Sequence, residues 1–180
     1  GAPETIRGRL IEVPSNYEDV YKSYTRSGSR VLALAYKYLD DRIPVNSLNR
    51  DDVETKLHFA GFIVFHCPMK PDAIETIEML NNSSHRCIMI TGDNPLTAVH
   101  VAKEVKIVER EVFILDSSED YDHINESLVW RDVNETKIIP MNADSEIDEA
   151  LFKENDICIT GYALSKLLEH KQLKSLLRHT

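Results

Sequence analysis

One segment, residues 59–105, constrains the fold more than any other part of the chain, because strand-like and helix-like patterns alternate along it. The apolar runs Phe62–Phe65 and Cys87–Ile90 are short and continuous, which is typical of buried strands. A helix-like pattern follows each run, the first opening at Pro71 and the second at Pro95. This alternation over short loops predicts an α/β fold, a parallel sheet covered by helices.

The turn between the second run and its helix, Ile90–Pro95, has the chemistry of a phosphate-binding loop. It places the Thr91 hydroxyl and then Gly92 at the carboxyl end of a predicted strand, the edge at which open α/β sheets bind ligands. Gly92 lets a ligand approach the backbone, and the first N–H groups of the helix attract an anion. Asp93 can hold a magnesium-bound water or a basic partner. A plain turn capped by Asp93 or Asn94 explains the same residues, and local chemistry alone favours neither interpretation.

Further patterns lie on either side of this segment. Residues 17–26 predict an amphipathic helix, and the apolar run at 31–36 predicts a buried strand. The apolar runs at 112–115 and 157–160 predict two more strands, and a helix is expected over about 162–169. The missing initiator methionine and the helix-like ending indicate a piece of a larger protein.

Composition narrows the class of protein. The formal net charge of −9 argues against a nucleic-acid binder, because phosphate backbones are bound by clustered Lys and Arg. No run approaches the roughly 18 consecutive apolar residues of a transmembrane helix, so this chain is not expected to insert into a membrane. The 3 cysteines are widely spaced and predict free thiols in a reducing compartment. The 7 histidines show no metal-ligand spacing, so no metal site is predicted.

Four motifs together resemble the cytosolic loop of the P-type ATPases, in that family's order and at about its spacing. They are Gly1–Glu4, Arg30–Ala35, Cys67–Lys70 and Thr91–Ala98. The resemblance spans most of the chain and is strongest over residues 1–108. Two details, Phe65–Pro68 and Ile159–Leu164, are similar to the fungal members of the fifth class, the endoplasmic-reticulum subgroup. That subgroup is associated with extracting mis-inserted transmembrane helices, and older descriptions call its members cation transporters.

The resemblance implies two partial domains. Residues 1–58 would be the C-terminal part of an α+β nucleotide-binding domain. Residues 59–180 would be an incomplete phosphorylation domain, a haloacid-dehalogenase-like Rossmannoid fold with helices on both faces of a parallel sheet. A loop-rich insertion is expected at about 116–150, with short strands at 128–130 and 137–139.

The resemblance also implies a nucleotide site. Gly1 and Ala2 would be the remainder of the lysine-Gly-Ala motif that lines the adenine pocket. Arg30 would reach the ATP phosphates, although by its residue type alone it is equally a solvated arginine at a strand edge. Lys70 would stand at the arginine of the family's Asp-Pro-Pro-Arg hinge motif. Cys67 replaces the acid of that motif and cannot do a carboxylate's work, so the usual hinge salt bridge and ribose contact are not implied here.

Thr91, Gly92 and Asp93 would contact the transferred phosphoryl group and its magnesium environment. The family's Asp-Lys-Thr-Gly-Thr nucleophile motif and its Gly-Asp-Gly-x-x-Asn-Asp magnesium motif do not occur in these 180 residues. Phosphoryl transfer depends on positioned charges and metal, so this chain alone is expected to be inert. The resemblance implies ATP and Mg²⁺ as cofactors of the parent protein.

The parent would be an ATP-driven membrane ATPase of the endoplasmic reticulum, with this segment on the cytosolic side. Its partners would be ATP, the rest of the nucleotide-binding and phosphorylation domains, the actuator domain and the transmembrane domain. Two other hypotheses stay open. One is a stand-alone haloacid-dehalogenase-type phosphatase, which lacks its nucleophile motif here. The other is a non-catalytic module resembling a response-regulator receiver, which lacks the acid pair required after the first strand.

Overall fold

The computed structural model describes residues 1–40, 42–118, 127–141 and 149–168. It divides into two compact units, one of Gly1–Pro68 and a second that begins at Met69. Helices and strands alternate in both, so the α/β class predicted from the sequence is confirmed at that level. The sheets are small and of mixed direction, and the family-specific Rossmannoid arrangement stays a prediction.

The first unit is a two-stranded antiparallel ribbon with helices against one face. Its elements are α1 (Pro3–Arg7), α2 (Tyr17–Arg26), β1 (Arg30–Tyr36), a 3-10 turn (Val45–Ser47), α3 (Arg50–Val53) and β2 (His58–Phe65). In the ribbon, Val31 lies opposite Val64 and Leu32 lies opposite Ile63. The predicted helix over 17–26 is confirmed. The run at 31–36 is a strand as predicted, but only one of its faces is buried.

The core of the first unit forms on the face of the ribbon that α2 covers. Alternate residues of a strand point to opposite faces, so Val31 and Ala33 turn inward together. They pack with Tyr17 and Tyr21 of α2, and the Tyr17 ring stands edge-on to Phe59 with ring centroids 5.0 Å apart. The inward face of β1 is thus buried, while its other face is not.

The division between the units falls ten residues beyond the boundary at residue 58 that the sequence suggested. The run Phe62–Phe65, expected to be the first strand of the second domain, is part of β2 and pairs with β1. The physical reason is that the apolar composition of a run does not specify which strand forms hydrogen bonds with it.

The second unit is built on a four-stranded sheet. Its elements are α4 (Ala73–Asn82), α5 (Pro95–Glu104), β3 (Val112–Ser117), β4 (Leu128–Asp132), β5 (Ile138–Met141), α6 (Glu149–Glu154), β6 (Asp156–Ile159) and α7 (Gly161–Leu168). The strand order is β5-β4-β3-β6, and only the β3–β6 pair is parallel. The expected parallel pairing holds for that pair, whereas β4 and β5, the short strands predicted within the insertion, pair antiparallel.

Helices cover both faces of β3, which is the buried centre of this sheet. Val112 and Ile114 pack against α5, whereas Phe113 and Leu115 pack against α6 and α7. This explains why the strand is a continuous apolar run, since each face meets a helix. The short strands predicted near 128–130 and 137–139 appear as β4 and β5, while 119–126 and 142–148 of the expected insertion lie outside the described residues.

The run Cys87–Ile90 is not the buried strand that its composition predicted. It joins no ladder among the described residues, and the side chains of Ile88 and Ile90 are 62% and 94% exposed. An apolar run becomes a buried strand only where neighbouring strands satisfy its backbone and cover its side chains. No described strand takes that place beside Cys87–Ile90.

Candidate functional site

The turn ahead of α5 is closed by two hydrogen bonds from the backbone to side chains. The Asp93 N–H donates to Thr91 Oγ1 at 3.1 Å, and the Leu96 N–H donates to Asn94 Oδ1 at 2.9 Å. Asn94, one of the two capping residues considered from the sequence, is thus the N-cap of α5, and Pro95 is the first helical residue, as predicted. Leu96 then anchors the helix in the core against β3.

The same turn is open to a ligand. Thr91 and Gly92 are exposed, and a methyl group placed on Gly92 would meet no other atom within 4 Å. Thr91 therefore lies neither in a core nor within a helix, the two placements that would exclude a phosphate contact. The turn does not follow a strand edge, since Cys87–Ile90 is unpaired among the described residues. The side chains of Thr91 and Asn94 already accept hydrogen bonds from the N–H groups of Asp93 and Leu96. An anion here would compete with those side chains for the same N–H groups.

Gly1 and Ala2 lie beside β1 and lead into α1. The Gly1 ammonium donates to the Ala33 carbonyl oxygen at 2.9 Å, and the Ala33 N–H donates to the Gly1 carbonyl oxygen at 2.9 Å. The Ala2 carbonyl oxygen accepts from the Ile6 N–H at 3.0 Å, and Pro3 is the first residue of α1. The expected adenine-pocket residues are therefore held against the middle of β1.

Arg30 begins β1 on the face of the ribbon that α2 does not cover. We call this the outer face, and it consists of Arg30, Leu32, Leu34, Tyr36, Ile63 and Phe65. Arg30 lies opposite Phe65, and Leu32 lies opposite Ile63. Each of the five apolar side chains is between 36% and 46% exposed. The outer face is thus an apolar strip with a guanidinium group at one end.

Lys70 lies just beyond the division between the units, and its side chain is exposed. Its carbonyl oxygen accepts from the Ala73 N–H at 3.1 Å at the start of α4. Gly1, Ala2 and Arg30 accordingly belong to the first unit, whereas Lys70 and the Thr91 turn belong to the second. Cys67, at the acidic position of the family's hinge motif, is an exposed free thiol.

A polar pair that was not predicted from the sequence lies at the carboxyl ends of β3 and β6, the two parallel strands. Thr160 Oγ1 donates to Asp116 Oδ1 at 3.0 Å and accepts from the Ala163 N–H at 3.2 Å. Burial, with a smaller contribution from Asp116, raises the pKa of the nearby Cys158 thiol to about 11. The available signal was that each of the two apolar runs ends in a side chain that can form hydrogen bonds, Asp116 after the first and Thr160 after the second.

Two kinds of site are missing from the described part of the chain. No three His, Cys, Asp or Glu side chains among the described residues are grouped so that they could hold a metal ion. No described helix combines the length and the apolar composition needed to cross a membrane. Asp93 is the one carboxylate of the Thr91 turn, and among the described residues it belongs to no such group.

The chain was compared with known proteins. No family model matches it. Over its whole length it is 59% identical to an endoplasmic reticulum transmembrane helix translocase of Saccharomyces cerevisiae and 50% identical to one of Aspergillus fumigatus. Over 93% of its length it is 47% identical to a probable manganese-transporting ATPase of Arabidopsis thaliana. The chain spans 15%, 14% and 14% of these three proteins.

These similarities define the class of protein first. The chain belongs to the P-type ATPase family, as its four motifs predicted, and it corresponds to a small part of the length of its relatives. Within that family, the expected likeness to the fungal endoplasmic-reticulum subgroup is confirmed by the identity to the two fungal translocases.

Proposed function

We propose that this chain is the nucleotide-handling segment of an ATP-driven membrane ATPase that extracts transmembrane helices from the endoplasmic reticulum membrane. The observation that carries the proposal is the 59% identity to the yeast translocase, which extends over the whole chain. The first unit would belong to the nucleotide-binding domain and the second to the phosphorylation domain, both on the cytosolic side. The 47% identity to the plant protein, which is named as a probable manganese transporter, makes metal transport the alternative activity of the parent.

The outer face of the ribbon has the chemistry that a nucleotide needs. An adenine ring is flat and largely apolar, and Leu32 and Leu34 offer it an exposed aliphatic surface. A guanidinium group can form paired hydrogen bonds with phosphate oxygens, and Arg30 supplies one at the end of the same strip. Gly1 and Ala2 would line the adenine site from the edge of β1, where the Gly1 backbone is held against Ala33. For Lys70, the family's hinge motif implies a nucleotide contact as well.

The Thr91 turn would contact the transferred phosphoryl group. Its exposed hydroxyl can donate to a phosphoryl oxygen, and the open space above Gly92 admits the group close to the backbone. Asp93 carries a negative charge, so a phosphate beside it requires a cation between them. The described residues do not form a magnesium site by themselves, and the ligands of that cation would come from other parts of the parent protein.

The role of Arg30 is tested by measuring ATP affinity of the full-length protein. Arg30→Ala should weaken binding about tenfold or more, because a hydrogen bond between charged groups contributes roughly 1.5–3 kcal/mol. Arg42→Ala is the matched control, since Arg42 is an exposed arginine of the same unit that pairs with Asp40 in a loop. An ATP affinity that is the same in the Arg30→Ala variant as in the unmodified protein would remove Arg30 from the site.

A further inference from the structure

The strand β5 lies at one end of the four-stranded sheet and has a single neighbour, β4, among the described residues. Its residues Ile138 and Ile139 are 62% and 43% exposed, and Pro140 is exposed as well. An exposed, apolar edge strand presents unpaired backbone groups to which another chain can add. Two copies of such a strand can pair edge to edge, so β5 is a place at which this chain can associate with itself.

The hydrogen bonds of the β4–β5 hairpin fix which backbone groups of β5 point to its free edge. The Asp132 N–H donates to the Lys137 carbonyl oxygen at 3.2 Å, so these two residues form a hydrogen-bonded pair. Hydrogen-bonded and non-hydrogen-bonded pairs alternate along an antiparallel ladder. In the register of β4 and β5, Ile138 and Pro140 therefore belong to non-hydrogen-bonded pairs. Their backbone groups point away from β4, towards the free edge.

Pro140 interrupts the hydrogen-bonding groups of that edge. Ile138 presents an N–H and a carbonyl oxygen there, whereas Pro140 presents only a carbonyl oxygen because proline has no N–H. Proline at this position leaves the ladder with β4 intact, since an N–H of residue 140 would not face β4. Proline is one of the residues by which native proteins blunt the edge of a sheet.

We propose that Pro140 prevents β5 from pairing with β5 of a second copy of this chain. A two-fold axis through Ile139 would place Ile138 of each copy opposite residue 140 of the other. An N–H at residue 140 would complete the hydrogen bonds in both directions, and proline removes those that residue 140 donates. The proline ring also occupies space into which the second strand would come. The proposal concerns the second unit alone, and it does not depend on nucleotide binding.

Sedimentation velocity over one concentration range compares self-association of the chain and its variants. Pro140→Val should raise the association constant about tenfold or more, since it adds a pair of hydrogen bonds and a strand-forming side chain. Pro140→Val combined with Ile138→Pro moves the proline to the other edge-facing position, so association should return to that of the unmodified chain. Equal association of the unmodified chain and the Pro140→Val variant overturns the proposal. Association that the transposed proline does not reverse also overturns it, because the copies would then not join through this edge.

Disulfide trapping locates the contact and separates edge pairing from aggregation of unfolded chains. Ile139→Cys is introduced into the unmodified chain and into the Pro140→Val variant, and both are mildly oxidised. In the proposed register the two copies of residue 139 lie directly opposite, with Cα atoms about 4.5 Å apart, a separation that a disulfide spans. Cys67 is an exposed thiol outside β5, so links through it measure random collisions.

A peptide linked through residue 139 of both copies, in the Pro140→Val variant alone and well above the level of Cys67 links, supports the proposal. Absence of that peptide in the variant overturns it. An equal yield with Pro140 retained overturns it too, as does equal linkage through Cys67.

Discussion

At the scale of single residues, the cap of α5 shows what can be deduced from sequence. Asn94 followed by Pro95 predicts a helix start from the chemistry of two adjacent residues. The structure has the cap at Asn94, whose Oδ1 accepts from the Leu96 N–H. The exposure of Arg30 could not be predicted in the same way. The exposure of Arg30 depends on which face of β1 packs against α2. The run of apolar residues after Arg30 does not indicate which face that is.

The cap can be tested by substitution. Asn94→Ala should destabilise the second unit by about 1 kcal/mol, because it removes the acceptor for the Leu96 N–H. Thermal or urea denaturation measures the loss. Asn94→Asp keeps a side-chain oxygen at the cap and should retain nearly all of the stability. If the alanine and aspartate variants were equally unstable, the contribution would not come from the cap.

Asp156 should make the second unit sensitive to acid. Burial acts to raise its pKa, but hydrogen bonds from the backbone and guanidinium of Arg110 and from the Glu109 N–H outweigh burial and hold the pKa below its ordinary value. The carboxylate therefore stabilises the fold above about pH 4, where an unfolded aspartate is ionised. That contribution is lost as the pH falls through the lowered pKa.

Urea denaturation between pH 2 and pH 6 checks the role of Asp156. The unmodified chain should lose stability as the pH falls below about 4, the ordinary aspartate pKa. Asp156→Asn should be less stable than the unmodified chain at pH 6, and the difference between them should shrink as the pH falls. A difference that stays constant across this range would show that protonation of Asp156 is not the cause.

At the scale of helices and strands, periodicity was a good guide to where elements lie and a poor guide to what they pair with. The helix over 17–26 was correct because its amphipathic pattern is contained within the element. Cys87–Ile90 has the composition of a strand, yet it is exposed and unpaired among the described residues. Strand formation requires hydrogen bonds from distant residues, and these cannot be read from the run itself.

The strand β3 is the element on which the second unit depends. Leu115 is completely buried between this sheet and the helices α6 and α7. Leu115→Ala should destabilise the second unit by about 2–5 kcal/mol, since it removes buried methyl groups and leaves a cavity. The free energy of unfolding measures it. Ile138→Ala on β5 is the control, because Ile138 is 62% exposed and its truncation should cost no more than about 0.5 kcal/mol.

At the scale of the whole molecule, the residues proposed to contact the nucleotide are divided between the two units. The first unit offers Arg30 and an apolar strip, and the second offers the Thr91 turn. The nucleophile motif and the magnesium motif of the P-type ATPases do not occur in the sequence. A phosphoryl transfer requires an attacking group, an in-line geometry and cations that neutralise the phosphate oxygens. Under the proposed function, Thr91 and Gly92 would help to position the phosphoryl group and would not attack it.

Because the nucleophile and magnesium motifs do not occur in its sequence, we expect the 180-residue chain to form no aspartyl-phosphate. After incubation with magnesium ATP, mass spectrometry of its peptides should find no added phosphoryl group on any aspartate, Asp93 included. The full-length protein, treated identically, should become labelled at an aspartate outside this chain, and Thr91→Ala in that protein should slow the labelling without moving it. Labelling of an aspartate within the isolated chain would instead mean that a nucleophile lies among these residues. The Thr91 turn would then belong to a complete active site within this chain.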